Sequence, residues 1–381
     1  MLTIQDKRAC CGCQACYDAC PAKCISMVAD NEGFLYPKVN PADCLDCHLC
    51  EKICPQVNGA ASKATDSPDA CYAAFAKDDG IRLQSSSGGI FSLLADAVLR
   101  EGGVVFGARF DDSFVVFHSF TEKEEELSPF RGSKYAQSDL RGAYSKVRHF
   151  LKENRPVLFS GTPCQIAGLR GFLHQEDAPN LFLVSVVCHG APSPLVWKEY
   201  LNSITGGILP TIVNMRNKDD GWSQYKMVIQ RDNQILLRQR GTDTSFMRAF
   251  LRDLTLRPSC YDCQFRGNHG SDLTLGDFWG VEQVHPDLFD DNGTSLILVY
   301  TEKGNNLLSS LSLEIKESRY EDAVKGNPSI IKASPEPAER SLFWADFRKH
   351  GTVALDDYTA DSRRARLRRQ YARLLRKIRR R

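Results

Sequence analysis

No apolar run in the 381-residue chain is long enough to cross a membrane. The longest, such as LFLVSVVC (181–188), suit a buried strand and fall far short of a roughly 20-residue span. The first residues, MLTIQDKRACC, contain no apolar h-region ahead of the first cysteine, so nothing there reads as a secretory signal. No strand–turn–helix carries the dinucleotide fingerprint G-x-G-x-x-G, and no internal repeat stands out beyond one duplicated cysteine pattern. Net charge is also small, at +2, but unevenly placed. Residues 361–381 carry +10, which leaves −8 on the rest, and so acidic a body does not suit nucleic acid. Cysteine is what the chain has in excess: 15 in all, ten of them within residues 1–58. Without a secretory signal, this points to a reducing, cytoplasmic compartment where cysteines serve metals or catalysis.

Residues 1–58 form the cysteine-rich unit, and GAASKATDSPDA (59–70) is small, polar and linker-like. From 71 to about 325 strand and helix patterns alternate, divided at about 154/155 into an N-terminal and a C-terminal part. CYAAFAK, GGVVFGARF and FVVFHSF read as strands, and GGIFSLLADAVLR (88–100) as a helix with Ile90, Phe91, Leu94, Ala97 and Val98 on one face. PVLFSG, TPCQIAGLRGFL and LFLVSVVC make a strand–helix–strand unit, which implies parallel pairing. Three β-rich stretches between 212 and 240 predict an antiparallel patch. Residues 326–381 look helical and polar. The fold class expected is therefore a mixed α/β core, with a parallel βαβ unit and an antiparallel patch, behind a small ferredoxin-like α+β domain.

The cysteine pattern is C-x2-C-x2-C-x3-C-P, at Cys10, Cys13, Cys16, Cys20 and Pro21, repeated at Cys44, Cys47, Cys50, Cys54 and Pro55. Three thiolates on a tight loop grip three corners of one iron–sulfur cube, while the fourth reaches the other cube. The spacing thus assigns Cys10, Cys13, Cys16 and Cys54 to one 4Fe–4S cluster and Cys44, Cys47, Cys50 and Cys20 to a second. Zinc would be an odd occupant of this doubled, proline-terminated set. Between the two halves, ISMVAD and FLYPKV flank NEG, a hairpin signal. Cys11, Cys24 and Cys71 are spare and read as small buried residues.

A further C-x2-C pair, Cys260 and Cys263, has no second pair nearby. Cys164 sits just inside a predicted helix N-terminus, where amides and the helix dipole favour a thiolate. Cys188 ends the next strand, and parallel pairing places it on the same sheet edge. Together these four could form a third site. Spacing alone leaves zinc, or plain burial, equally open.

SSSGGIFSLLA (85–95), RGSKYAQ (131–137), SGTPCQIAGLR (160–170), VVCHGAPSP (186–194), SCYDCQF…SDLTLGDFWG (259–280) and GTSLILVYT (293–301) occur in an order that resembles the beta subunit of coenzyme F420-reducing hydrogenase and its dehydrogenase relatives. The resemblance covers roughly 70–320, and longer members of that family are similar in carrying a two-cluster ferredoxin domain in front. It implies an FAD in the body and a third 4Fe–4S cluster on Cys164, Cys188, Cys260 and Cys263. It also implies FAD contacts from Ser86, Ser87, Gly88 and Gly89, from Ser133, Lys134 and Tyr135, and from Gly161 and Thr162. Small residues at a helix start suit a diphosphate in any case, although a serine-rich cap looks the same. Thr274, Asp277 and Trp279 are further candidates to line the site, and His189, His269 and Asp277 are candidate proton donors.

A flavin joins one-electron clusters to two-electron chemistry. The expected function is an FAD and iron–sulfur oxidoreductase. It would work between a ferredoxin-type donor or other redox partner protein and a small-molecule substrate, coenzyme F420 being the one the family suggests. The alternative is a non-catalytic electron-transfer subunit that docks on a larger reductase or hydrogenase. RRARLRRQYARLLRKIRRR (363–381) sets Leu367, Tyr371, Leu374, Leu375 and Ile378 on one stripe amid arginines, which suits an anionic membrane surface, so a peripheral place at the inner membrane face is part of the expectation.

Overall fold

The cysteine-rich unit is built round an antiparallel hairpin, β1 (Ile25–Ala29) and β2 (Leu35–Val39). Its turn is the expected NEG. Asp30 Oδ1 accepts from the amides of Glu32 and Phe34, and Gly33 takes φ +82°. A side chain at Gly33 would also strike Leu195, whose Cβ lies 2.4 Å from that position. In this computed structural model, residues 3–57, 67–174, 178–360 and 367 are described. Residues 59–66 of the expected linker, and the 363–381 tail apart from Leu367, lie outside them.

The remaining strands are β3 (Ala70–Ala76), β4 (Val104–Phe110), β5 (Val116–Thr121), β6 (Val157–Gly161), β7 (Leu181–Val186), β8 (Ile212–Asn217), β9 (Lys226–Arg231), β10 (Gln234–Arg240), β11 (Leu273–Asp277), β12 (Ser295–Val299) and β13 (Leu313–Glu317). Eight form one mixed sheet in the order β13-β3-β12-β11-β7-β6-β4-β5. Its centre, β4, β6, β7 and β11, is parallel, and antiparallel strands flank it on both sides. The expected antiparallel patch is a separate sheet of β10, β9 and β8. Burial follows the strand pattern. Val104, Val157, Phe159, Leu183 and Ile297 are enclosed, each worth about 1.5–3 kcal/mol relative to exposure. The Ile90–Arg100 helix buries Ile90, Leu94 and Val98 as expected, leaves the expected Phe91 and Ala97 half-buried, and adds Ser92, Ala95 and Leu99.

The region after 326 departs from the polar appendage expected. Its Arg340–His350 and Val353–Thr359 helices bury Phe343, Trp344, Phe347, Leu355 and Tyr358 in one core with Trp197, Phe246 and Met227. Charged residues outnumber these aromatics along the segment, so composition alone conceals the face they share. The cysteine-rich unit is joined to the body just as closely, because Cys11, Cys13, Ala15 and Ile53 share a core with Phe106, Tyr144, Phe159 and Phe172.

Candidate functional site

Two cavities lie within the N-terminal unit. One is lined by Cys10, Cys13, Cys16 and Cys54 together with Cys11. The other is lined by Cys20, Cys44, Cys47 and Cys50 together with Cys24. The two groups of four are the sets the spacing assigned, and each fourth member crosses from the other half of the pattern. The supposedly spare Cys11 and Cys24 are buried as expected, yet both reach a cavity wall; Cys24 Sγ lies 3.4 Å from Cys20 Sγ. Among the described residues no group of three or more His, Cys, Asp or Glu side chains is disposed to hold a metal ion. A four-iron cube carries its thiolates at its corners and so calls for a wider ring than one ion does.

The first cavity abuts the body. Cys13 Sγ lies 3.0 Å from where a Cβ at Gly168 would sit, on the Pro163–Phe172 helix. On the other face of that loop, Cys11 is in side-chain hydrogen-bond reach of both Cys13 and Cys164. Cys164 occupies the second position of the helix, behind a reciprocal cap formed by Thr162 and Gln165. Thr162 N donates to Gln165 Oε1 at 2.9 Å, and Thr162 Oγ1 lies 3.2 Å from Cys164 Sγ. Cys164, Cys188, Cys260 and Cys263 are near enough for each thiol to be influenced by others of the group. Desolvation pushes Cys188 up to about 12 and raises Cys260 and Cys263 as well, outweighing the opposing pull of Arg266 on Cys188 and Cys263. Ala191 N donates to Cys260 Sγ at 3.3 Å, an oriented backbone dipole of the kind that tunes a ligand sulfur.

Of the loops singled out for flavin contact, two touch one another, and the Gly161–Thr162 turn follows β6 four places along the sheet from β3. Ser86 Oγ and Ser133 Oγ are 2.9 Å apart, which joins the SSSGG and RGSKY loops. Ser87 Oγ donates to Thr294 O, and Gly88 N to Ser295 Oγ, both at 2.9 Å. Gly88 is needed for packing, since a Cβ there would lie 2.5 Å from Ala74 O. Gly89 caps the Ile90–Arg100 helix at φ +88°. Lys134 turns back on its own loop and donates to Pro129 O and Arg131 O, and burial brings its pKa down to about 7. Tyr135 N donates to Met215 Sδ at 3.0 Å, and Gly161 closes β6 ahead of Thr162.

The proton-donor candidates do not converge. His189 Nε2 is 2.6 Å from Asp253 Oδ1, and His269 Nε2 is 3.0 Å from Arg266 O. Asp277 pairs with Arg216 and accepts from Trp222 Nε1 at 3.2 Å, which leaves it a poor proton source. Thr274 Oγ1 lies 2.6 Å from Ser185 Oγ inside the sheet, whereas Trp279 is half-exposed and stacks on Trp222 at 4.5 Å. Sequence reading missed Arg216 and Lys218, both supplied by the antiparallel patch. Arg216 is 6% exposed; its Nη1 meets Asp277 while buried Nε and Nη2 have no partner. Lys218 Nζ donates to the carbonyls of Arg82, Ser87 and Asn292, tying the serine loop to its neighbour. A lone basic residue in a strand offers no spacing signal, so neither could be found without the fold.

Residues 9–58 match the 4Fe-4S dicluster domain, 71–144 the N-terminal part and 154–322 the C-terminal part of the coenzyme F420 hydrogenase/dehydrogenase beta subunit. Among curated proteins none matches. Among solved structures, a chain from the F420-reducing [NiFe] hydrogenase complex of Methanosarcina barkeri is similar, with 17% identity and a TM-score of 0.48 over 70% of this chain and 90% of that one. The two beta-subunit matches follow one another without overlap and span well over half of the sequence, behind a dicluster unit whose cysteines ring two cavities. The chain therefore belongs to the coenzyme F420 hydrogenase/dehydrogenase beta subunit family and carries an N-terminal 4Fe–4S dicluster domain.

Proposed function

We propose that the chain is an iron–sulfur flavoprotein oxidoreductase that passes electrons between a one-electron protein donor and a two-electron organic substrate. Cys10, Cys13, Cys16 and Cys54 hold one cluster, and Cys20, Cys44, Cys47 and Cys50 a second. Cys164, Cys188, Cys260 and Cys263 hold a third. The observation that carries the reading is the continuity of sulfur from the first cavity through Cys13 and Cys11 to Cys164 at the sheet edge. Its outer end is open: the wall of the second cavity includes Leu45, 69% exposed, and the exposed Cys47, which suits a docking donor.

FAD supplies the exchange between one- and two-electron chemistry. The sheet edge fits it on one physical ground, the unpartnered Nε–Nη2 side of buried Arg216, which is shaped for a planar or oxyanionic acceptor. Ser86, Ser87, Ser133, Gly161 and Thr162 line the same edge, Gly88 and Gly89 set the turn, and Lys134 and Tyr135 hold the facing loop. Asp277 keeps Arg216 charged and aimed. With Asp277 and His189 both paired, a proton for the substrate is best drawn from solvent past Trp279, and His269 stays in the wall. Coenzyme F420 is the substrate class first in line, and the basic 363–381 segment would serve membrane or partner docking.

Anaerobic reconstitution tests the reading: about twelve irons per chain, four from each cube, and one flavin are expected. Substituting Cys263→Ser should remove about four of those irons and leave the N-terminal clusters' spectrum intact. A preparation that takes up neither iron nor flavin, or loses all its iron in that variant, would sink it. Reduction by a deazaflavin, nicotinamide or ferredoxin donor would then name the substrate.

A further inference from the structure

One buried arginine has no carboxylate partner and, unlike buried Lys218, cannot relieve its charge by losing a proton. Four arginines of the described chain have buried side chains: Arg82, Arg216, Arg257 and Arg340. Three are neutralised by carboxylates, through Asp290, Asp277 and Glu32. Arg257, at 0% exposure, has no such partner among its hydrogen bonds. Its Nε donates to Cys10 O at 2.7 Å and its Nη1 to Gln137 Oε1 at 2.9 Å. Its Nη2 donates to Leu35 O at 3.0 Å and to Cys10 Sγ at 3.4 Å. The rings of Tyr36 and Phe34 cover it at 4.2 and 5.5 Å. An enclosed charge with only neutral partners is costly, so such a site calls for an anion within reach. Among its hydrogen-bond partners, the one able to become anionic is the Cys10 sulfur.

Arg257 also stands where the domains meet. It precedes the Pro258–Asp262 turn that bears Cys260, its amide donates to Ala191 O, and its guanidinium holds the Cys10 loop and the Gln137 loop. Neither cavity has an arginine or lysine in its wall among the described residues, but Arg257 reaches the first through the sulfur of its wall residue Cys10. The second has Asp46 and His48 in its wall, and no arginine is hydrogen-bonded to the sulfur of Cys20, Cys44, Cys47 or Cys50 among the described hydrogen bonds.

We infer that Arg257 is a positioning residue which clamps the inner N-terminal cluster against the body and raises its reduction potential above that of the outer cluster. This rests on the cluster assignment proposed above. A cation hydrogen-bonded to a ligand sulfur stabilises the state that carries one more negative charge. One electron then moves from the outer cluster, which is oxidised, to the inner, which is reduced, with no bond made or broken and no proton transferred.

Redox titration of the full reconstituted chain, followed by electron paramagnetic resonance, tests this. The outer wave is identified by its loss in Cys47→Ala and the third-site wave by its loss in Cys263→Ser. In Arg257→Gln the remaining wave should fall by a tenfold or larger change in its one-electron equilibrium, about 59 mV, while the outer wave stays in place. Arg257→Lys, which keeps the charge, should recover more than half of that shift. A wave that does not move, an outer wave that moves equally, or Lys and Gln variants that behave alike would overturn the inference. Should the Gln variant fail to retain the inner cluster, the unmodified chain decides: the wave lost in Cys47→Ala must be the lower of the two N-terminal waves, and the reverse order overturns the inference. A chain that assembles no clusters at all would instead bring down the functional reading itself.

Discussion

Asp277 and Arg216 show how partners, not residue type, decide a side chain's work. Read in isolation, Asp277 is a carboxyl near a turn and a fair acid; in the fold it is spent on an arginine and an indole. The residue with unspent capacity is Arg216, whose charge Asp277 helps to secure, since that carboxylate raises its pKa despite the penalty of burial. Hydrogen bonds to a charged group are worth about 1.5–3 kcal/mol, so Arg216→Met should weaken flavin retention about tenfold or more. Flavin fluorescence released on dilution measures this, and unchanged retention with intact iron would detach Arg216 from the cofactor. Cysteine spacing pointed to the two quartets that line the N-terminal cavities, the proposed ligand sets, because a cube imposes short, local constraints on a loop. Arg216 and Arg257 were hidden because their partners lie 61 residues away at Asp277 and 247 away at Cys10.

At the scale of the element, the turn bearing Cys164 is held by a buried polar chain. Gln165 Nε2 donates to Ser138 Oγ at 3.1 Å, Ser138 meets His118 Nδ1 at 2.6 Å, and His118 Nε2 donates to Ser160 O at 3.0 Å. Both ring nitrogens are thereby satisfied in the neutral form. Desolvation lowers His118 to about 4, from an ordinary value of 6.5. Between those values the unfolded chain binds a proton that the folded chain refuses. Stability from this residue is complete above about 6.5 and is lost as pH falls toward about 4, by at most about 1.4 kcal/mol per pH unit. Thermal unfolding of the metal-free chain against its His118→Gln variant checks the slope, which should be shallower in the variant. The same helix meets the dicluster unit through Gly171, where a Cβ would lie 2.3 Å from Ile53 O. Gly171→Ala should cost about 1–3 kcal/mol and speed iron loss, because Ile53 adjoins Cys54; equal iron retention would mean that the contact yields. The helix start just ahead of Cys164 was legible in the sequence, whereas its reciprocal cap by Thr162 and Gln165 emerged from the structure. The helix's closeness to Cys13 was not legible, since a glycine says only that something comes near.

Across the whole molecule, the two ends of the chain are bound together. Arg340 Nη1 donates to Glu32 Oε1 at 3.0 Å and its Nε to Tyr261 OH at 2.9 Å, so the C-terminal helix grips both the hairpin turn and the Cys260 segment. Ending the chain after residue 334 removes Phe343, Trp344 and Phe347 from the core they share with Trp197. At about 3–5 kcal/mol for each large aromatic, that loss matches or exceeds the usual 5–15 kcal/mol of total stability. The product should be insoluble or molten by near-ultraviolet circular dichroism, whereas ending after 360 should leave fold and iron content intact. A native signal from the shorter chain would refute the shared core.

Local pattern was enough for whatever short-range chemistry dictates: two cysteine quartets, the hairpin between them, the strand–helix–strand unit and the helix start before Cys164. Each depends on neighbours within a few residues, and those are written in the order of the chain. Only tertiary structure decided that the aromatics after 340 are core, that the cysteine-rich unit adjoins the body at Gly168 and Gly171, and that Arg216 and Arg257 are the enclosed cations beside the proposed carriers. Those outcomes follow from burial and charge pairing between segments far apart in sequence, where no spacing rule operates.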